Sequence, residues 1–123
     1  MRGVFDNIPT AFKVSKASMA EFPTLNGQSV SYAVLQYPAG GVNPPHTHPR
    51  SAELLFLVDG ALEYNPDCDI PATAISAFGS ASAGTVSVPM SVFATGIDDV
   101  ILAKAFKTDV ATIKKIKAGI GKP

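Results

Sequence analysis

Both histidines of this 123-residue chain fall within one short stretch. It runs Gly40-Gly41-Val42-Asn43-Pro44-Pro45-His46-Thr47-His48-Pro49-Arg50-Ser51-Ala52-Glu53 and closes at Gly60. In an extended segment residues i and i+2 point to the same face, so the imidazoles of His46 and His48 converge. Glu53 lies beyond Pro49, where the chain can turn and bring the next strand back alongside. Two imidazoles and a carboxylate suit a hard or borderline divalent transition metal. Such a trio leaves open positions on an octahedral ion, as the facial triad of non-haem iron sites does.

A second chemistry is carried by the single cysteine, Cys68. It is a thiol nucleophile if one of the histidines serves as its base. Its neighbours Asp67 and Asp69 oppose thiolate formation by like-charge repulsion, which favours a spare loop thiol over a peptidase centre. One cysteine makes no internal disulfide, so its count does not reveal the redox compartment.

The metal-type residues need strands to hold them, and the sequence supplies these. Residues 10–17 alternate well enough for a strand. After a turn at Asn26-Gly27, residues 29–37 are rich in β-branched and aromatic types. Val30, Tyr32 and Val34 share one face of that segment, and Ala33, Leu35 and Tyr37 the other, a pattern expected of a strand buried on both sides. Residues 53–58 form the most apolar strand, with Glu53 on the same face as Leu55 and Leu57. A carboxylate aligned with core positions requires a partner, and a metal would supply one. Asp59-Gly60 is a turn signal, residues 61–64 begin a returning strand, and residues 65–71 form a loop. Further strands follow at 72–78 and, more briefly, 85–88, joined by the small-residue connection 79–84.

From Pro89 the character becomes helical. Asp98-Asp99 suits a helix N-terminus, followed by a partial apolar stripe of Val100, Leu102, Ala103 and Phe106. Thr108-Asp109 caps a second helix, in which Val110, Ile113 and Ile116 recur at helical spacing as core or subunit contacts. Its lysines Lys114, Lys115 and Lys117 lie near the C-terminal end, where the helix dipole favours cations, and Gly119 stops it. Strands first and helices last make this one mainly-β domain, 1–123, with a β part over 1–88 and a helical part over 89–123.

Ten basic and ten acidic residues give no footprint for nucleic acid or an anionic membrane surface. No apolar run approaches the length of a bilayer span. Charged residues make up only 16% of the chain and its mean hydropathy is positive, at +0.22, so it offers more apolar surface than a small monomer readily hides. An oligomer follows naturally. The first residues lack the pattern of a signal peptide.

With its strands in place, the metal run reads as Gly, five residues, His-x-His, four residues, Glu, six residues, Gly. That spacing resembles the first signature motif of the cupin superfamily, and Pro44-Pro45-His46-Thr47-His48-Pro49-Arg50 is similar to what germins carry there. Residues Ala72–Ser80 and Asp98–Phe106 look like the terminal strand and helix of plant germin-like proteins. The resemblance covers nearly the whole chain. It implies a cupin-type β-barrel, or jelly roll, with C-terminal helices. It also implies secretion to the apoplast, assembly as a hexamer built from a trimer of dimers, and manganese held by His46, His48 and Glu53.

The chain departs from that family in three ways. The family's second motif supplies a further histidine ligand, and there is no third histidine here. About thirty residues, two or three strands' worth at roughly ten residues per strand and turn, read as missing between Glu63 and Tyr64. The N-terminal segment with its disulfide pair and the signal peptide are also absent. Unpaired edges would follow from such a loss, so the chain reads as an incomplete version of a longer protein.

By the resemblance, superoxide dismutation and oxalate oxidation are the candidate activities. The first needs a redox-active metal and access for a small anion such as superoxide. The second also needs polar groups to hold a dicarboxylate, for which Asn43 is the near neighbour in sequence. The dismutase reading is therefore preferred. The alternatives are a non-enzymatic binding, storage or defence protein with a structural or vacant metal site, and the thiol peptidase using Cys68.

Overall fold

The inward residues of two neighbouring strands are matched in size, and the core grows from that match. A computed structural model describes residues 9–60 and 63–120. Its strands are β1 (Lys13–Ala17), β2 (Ser31–Tyr37), β3 (His46–Thr47), β4 (Glu53–Asp59), β5 (Ala72–Phe78) and β6 (Val86–Ser87). Its α-helices are α1 (Val88–Phe93), α2 (Asp99–Ala105) and α3 (Val110–Gly119). They lie in two compact units, Met1–Asn43 with His48–Thr85, and Pro44–Thr47 with Val86–Pro123.

The first unit is built on an antiparallel sheet in the order β1-β2-β5-β4. On β5 every second residue is buried, namely Ala72, Ala74, Ser76 and Phe78, the period-2 alternation of a strand with one covered face. Register places bulky Tyr37 opposite Ala72 and Leu35 opposite Ala74, while Ala33 faces Ser76. Large side chains from β2 thus fill the space left by small ones on β5. Ala83 joins this cluster, and Phe12 and Leu55 pack against it. Truncating Leu35, which is 4% exposed, would cost ~2–5 kcal/mol.

The two-sided burial expected of residues 29–37 is met only in part: on the second face Gln36 is buried and Val34 half-buried. Ser31, Ala33, Leu35 and Tyr37 are buried, but Tyr32 on the opposite face is half exposed. The apolar strand 53–58 is also barer than its composition suggests. Leu54 and Phe56 are 72% and 68% exposed, and among the described residues β4 is paired only with β5. Residues 61 and 62 of the expected returning strand lie outside the described residues. Tyr64 is placed, and it forms an isolated antiparallel bridge with Val42.

Two turns close this unit. Gly60 has φ +91°, and a Cβ there would fall 2.2 Å from that of Ala72, so the β4 turn requires glycine. In the 65–71 loop the buried Asn65 donates from Nδ2 to the carbonyls of Pro38 and Ile70. Its own backbone N–H donates to the Gly41 carbonyl.

In the second unit β3 pairs with β6, His46 facing Ser87. The chain then enters α1 a little earlier than Pro89. Ser87 caps it, and Pro89 occupies the first turn, where its missing N–H costs nothing. Asp98 caps α2 by accepting from Val100 and Ile101, and Asp109 caps α3 by accepting from Thr112, both as the sequence suggests. Leu102, Ala103 and Ile113 form the buried cluster of this unit. Val100 and Phe106, assigned to the same stripe by spacing, are about half exposed. Lys117 Nζ donates to the Ile97 carbonyl and to Asp99, 2.6 Å each, tying the end of α3 to the start of α2. None of the described helices is long and apolar enough to cross a membrane.

Candidate metal centre

Glu53 is fixed by sheet register. It stands opposite Phe78, and Ser76, two residues along β5, shares that face. The Ser76 hydroxyl donates to Glu53 Oε1 at 2.5 Å. The partner expected for this carboxylate is therefore present within the sheet itself. Its second oxygen, Oε2, is 3.4 Å from His48 Nε2, with the two side chains 24% and 11% exposed.

His48 is held on three sides. Its Nδ1 contacts the Gly84 carbonyl, and because a carbonyl only accepts, this nitrogen carries the proton. Its ring stands 4.7 Å from that of Phe78, tilted by 60°. Nε2 is left directed at Glu53. His46 follows the same logic: its Nδ1 is 3.0 Å from the Pro44 carbonyl, which makes Nε2 the ligand-type nitrogen.

Within the first unit His48 Nε2 and Glu53 Oε2 stand 3.4 Å apart, while His46 belongs to the second unit. Of the three residues selected by spacing, the first unit brings His48 and Glu53 together. The donor set fits a divalent transition-metal ion: two imidazoles whose Nδ1 atoms are engaged by carbonyls and a carboxylate oriented by a hydroxyl. Cys68 is not a member of this group; it is exposed in the 65–71 loop. The neighbouring Asp67 is occupied in shaping the loop. It accepts the backbone N–H groups of Asp69 and Ile70, which hold its carboxyl below the usual carboxylate range.

Comparison with known proteins decides the family. The cupin family model matches residues 5–68, which include the entire metal run. Germin-like protein 9-3 of Oryza sativa subsp. japonica is 56% identical over 142 residues, covering 91% of this chain and 66% of that protein. Germin-like protein 9-2 of the same plant is 52% identical over 145 residues, covering 94% of this chain and 68% of that protein.

The chain belongs to the germin-like family of cupins. This germin-like chain spans about two thirds of the length of those two relatives. A solved oxalate oxidase superposes with a TM-score of 0.79 at 23% identity, covering 92% of this chain and 74% of that one. The likeness establishes the cupin fold, with its antiparallel sheets and C-terminal helices. The alignments carry one further fact. With germin-like protein 9-3, 142 aligned positions draw on 91% of 123 residues, leaving about thirty positions with no residue in this chain. That is the size of the segment the sequence reads as missing after Glu63.

Reading the sequence alone did not find Ser76, Phe78 and Gly84. Ser76 had a signal, being the polar residue at an inward position of an otherwise apolar alternation. Gly84 had none, because the contact that gives it a role joins residues 36 apart.

Proposed function

We propose that His46, His48 and Glu53 hold a manganese ion, and that the protein acts as a germin-like superoxide dismutase of the apoplast. One observation carries this reading: His48 Nε2 lies 3.4 Å from a Glu53 carboxylate that Ser76 orients, and the His-x-His spacing adds His46. A bound manganese would supply one-electron redox chemistry. The chain's own residues do the rest. Gly84 and Pro44 keep the imidazole protons on Nδ1, Ser76 orients the Glu53 carboxylate, and Phe78 limits the rotation of His48.

Superoxide is preferred over oxalate because a small anion needs little substrate-specific architecture. A dicarboxylate needs dedicated donors, and the Ser76 hydroxyl beside the group is already engaged by Glu53. Exposed apolar residues on α2 and at its C-terminal cap, Val100, Ile101 and Phe106, support assembly into the oligomer typical of the resemblance, a hexamer built as a trimer of dimers.

A second reading is a non-enzymatic binding or storage module with a structural metal. It draws on the presence of two histidines where the germin pattern has three. Metal analysis together with a dismutase assay on metal-loaded and chelated protein separates the two. Turnover that follows manganese content supports the dismutase. Bound metal without turnover supports the binding module, and no bound metal removes the dismutase reading.

A further inference from the structure

We propose that Arg50 is a positioning residue for the metal centre. Through Ser82 it holds the 82–84 segment in place, so that the Gly84 carbonyl keeps the His48 proton on Nδ1 and Nε2 turned toward Glu53. This rests on the metal-binding reading above and adds to it a residue that makes no contact with the ion.

The geometry is a grip. Arg50 Nε donates to the Ser82 carbonyl at 2.7 Å, and Nη2 donates to Ser82 Oγ at 3.2 Å. The Arg50 backbone N–H donates to the Ala83 carbonyl at 3.2 Å. The guanidinium also lies against Gly84, where an added Cβ would fall 2.9 Å from Nη2 and 3.1 Å from Cζ. Three consecutive residues, 82 to 84, are thus touched by one arginine. Two residues earlier in the chain, His48 reaches the same segment through the Gly84 carbonyl.

Gly84 sits at φ +73°, a conformation open to glycine, and this aims its carbonyl at His48. The far side of the segment is anchored as well. Ser80 Oγ accepts the Ser82 N–H at 3.1 Å, and the Ser31 hydroxyl donates to the Ser80 carbonyl at 2.6 Å. To these serine contacts arginine adds a planar fork that donates two hydrogen bonds in fixed geometry, which a single lysine ammonium does not reproduce.

Such groups behind a ligand typically contribute 10–100-fold to metal affinity. The test uses the full chain, stripped of metal and titrated with Mn2+ by calorimetry, as wild type, Arg50→Gln, Arg50→Lys and Ser82→Ala. Long-range 1H–15N spectra of the metal-free proteins read the His48 tautomer. The expected result for Arg50→Gln is about a tenfold or greater loss of Mn2+ affinity, with His48 no longer purely protonated on Nδ1. Arg50→Lys should fall between it and wild type. Affinity within twofold of wild type, or an unchanged His48 tautomer, overturns the proposal, since a purely structural tie would leave the tautomer in place. Should Arg50→Gln fail to fold, Ser82→Ala removes one contact of the grip and should move both readouts the same way to a smaller degree; no movement in either overturns the proposal. If wild type itself binds no Mn2+, the proposed function falls, while the metal-free tautomer comparison still decides the role of Arg50.

Discussion

The Ser76 hydroxyl donates to one oxygen of Glu53 and leaves the other turned to His48, so a neutral side chain on β5 sets the direction of a charged one on β4. Ser76 is fully buried. Ser76→Ala would therefore strip the carboxylate of its orienting bond without reaching the imidazoles. We expect about a tenfold loss of Mn2+ affinity and a stability loss of ~1 kcal/mol, read by calorimetric titration and urea unfolding of the metal-free protein. Unchanged affinity would remove Ser76 from the metal centre.

Metal binding should register as stabilisation of the wild-type chain and vanish with a ligand. At a hundredfold excess over Kd, a ligand specific for the folded state adds ~2.7 kcal/mol. Mn2+ should raise the thermal midpoint of wild type and leave those of His48→Ala and Glu53→Gln in place. Equal shifts in all three proteins would mean that the ion binds elsewhere.

Tyr37 carries a hydroxyl with no well-formed hydrogen bond among the described residues, on a side chain that is 0% exposed; the Asn43 side chain and the Glu63 backbone lie near enough only to offset part of the burial. Burial pushes its phenol above the ordinary value, and the charge of Glu63 adds to this. Removing the hydroxyl alone deletes a poorly compensated buried polar group while keeping the ring, which stands 4.8 Å from that of Phe12. Tyr37→Phe should leave stability unchanged or raise it by up to ~1 kcal/mol. A clear loss in urea midpoint would show that the hydroxyl has a partner in solution.

Asp109 links acid stability to the cap of α3. The Thr112 hydroxyl and then the Thr112 backbone N–H lower its pKa below 3.8. A folded-state value below the unfolded one means the contribution is complete above the unfolded pKa and lost as pH falls through the folded one. Asp109→Asn keeps a capping oxygen but removes the titration. The wild-type urea midpoint should fall more steeply than that of Asp109→Asn as pH drops from about 5 to 3; parallel curves would contradict the assignment.

The exposed side of β4 predicts association. Leu54, Phe56 and Val58 are each at least half exposed on a strand paired on one side among the described residues. Such an edge is a template for another strand. Phe56→Lys should reduce the concentration dependence of light scattering relative to wild type, with folding reported unchanged by circular dichroism. Identical scattering would place the association surface elsewhere.

The approach of His48 to Glu53 was legible because the two are close in sequence, on either side of a turn into β4. The helix starts at Asp98 and Asp109 were legible for a similar reason: a cap is a contact over two or three residues. Residues 29–37 and 53–58 were read correctly only in part, because composition reports how apolar a strand is, and only its neighbours decide how much of each face is covered. Tyr32 and Phe56 are exposed on that account. Equally hidden were Ser76 and Arg50, whose roles depend on partners 23 and 32 positions away.

Taken alone, the sequence determined the mainly-β architecture with terminal helices and the family, and it singled out His46, His48 and Glu53 as the candidate ligands. These follow from local periodicity and from motif spacing. Tertiary structure decided how the ligands are aimed. Pairing β4 with β5 put a hydroxyl against Glu53, and folding the 82–84 segment over Arg50 put a carbonyl against His48. Direction at a metal centre depends on hydrogen bonds between distant segments, and those exist only once the strands have found their register.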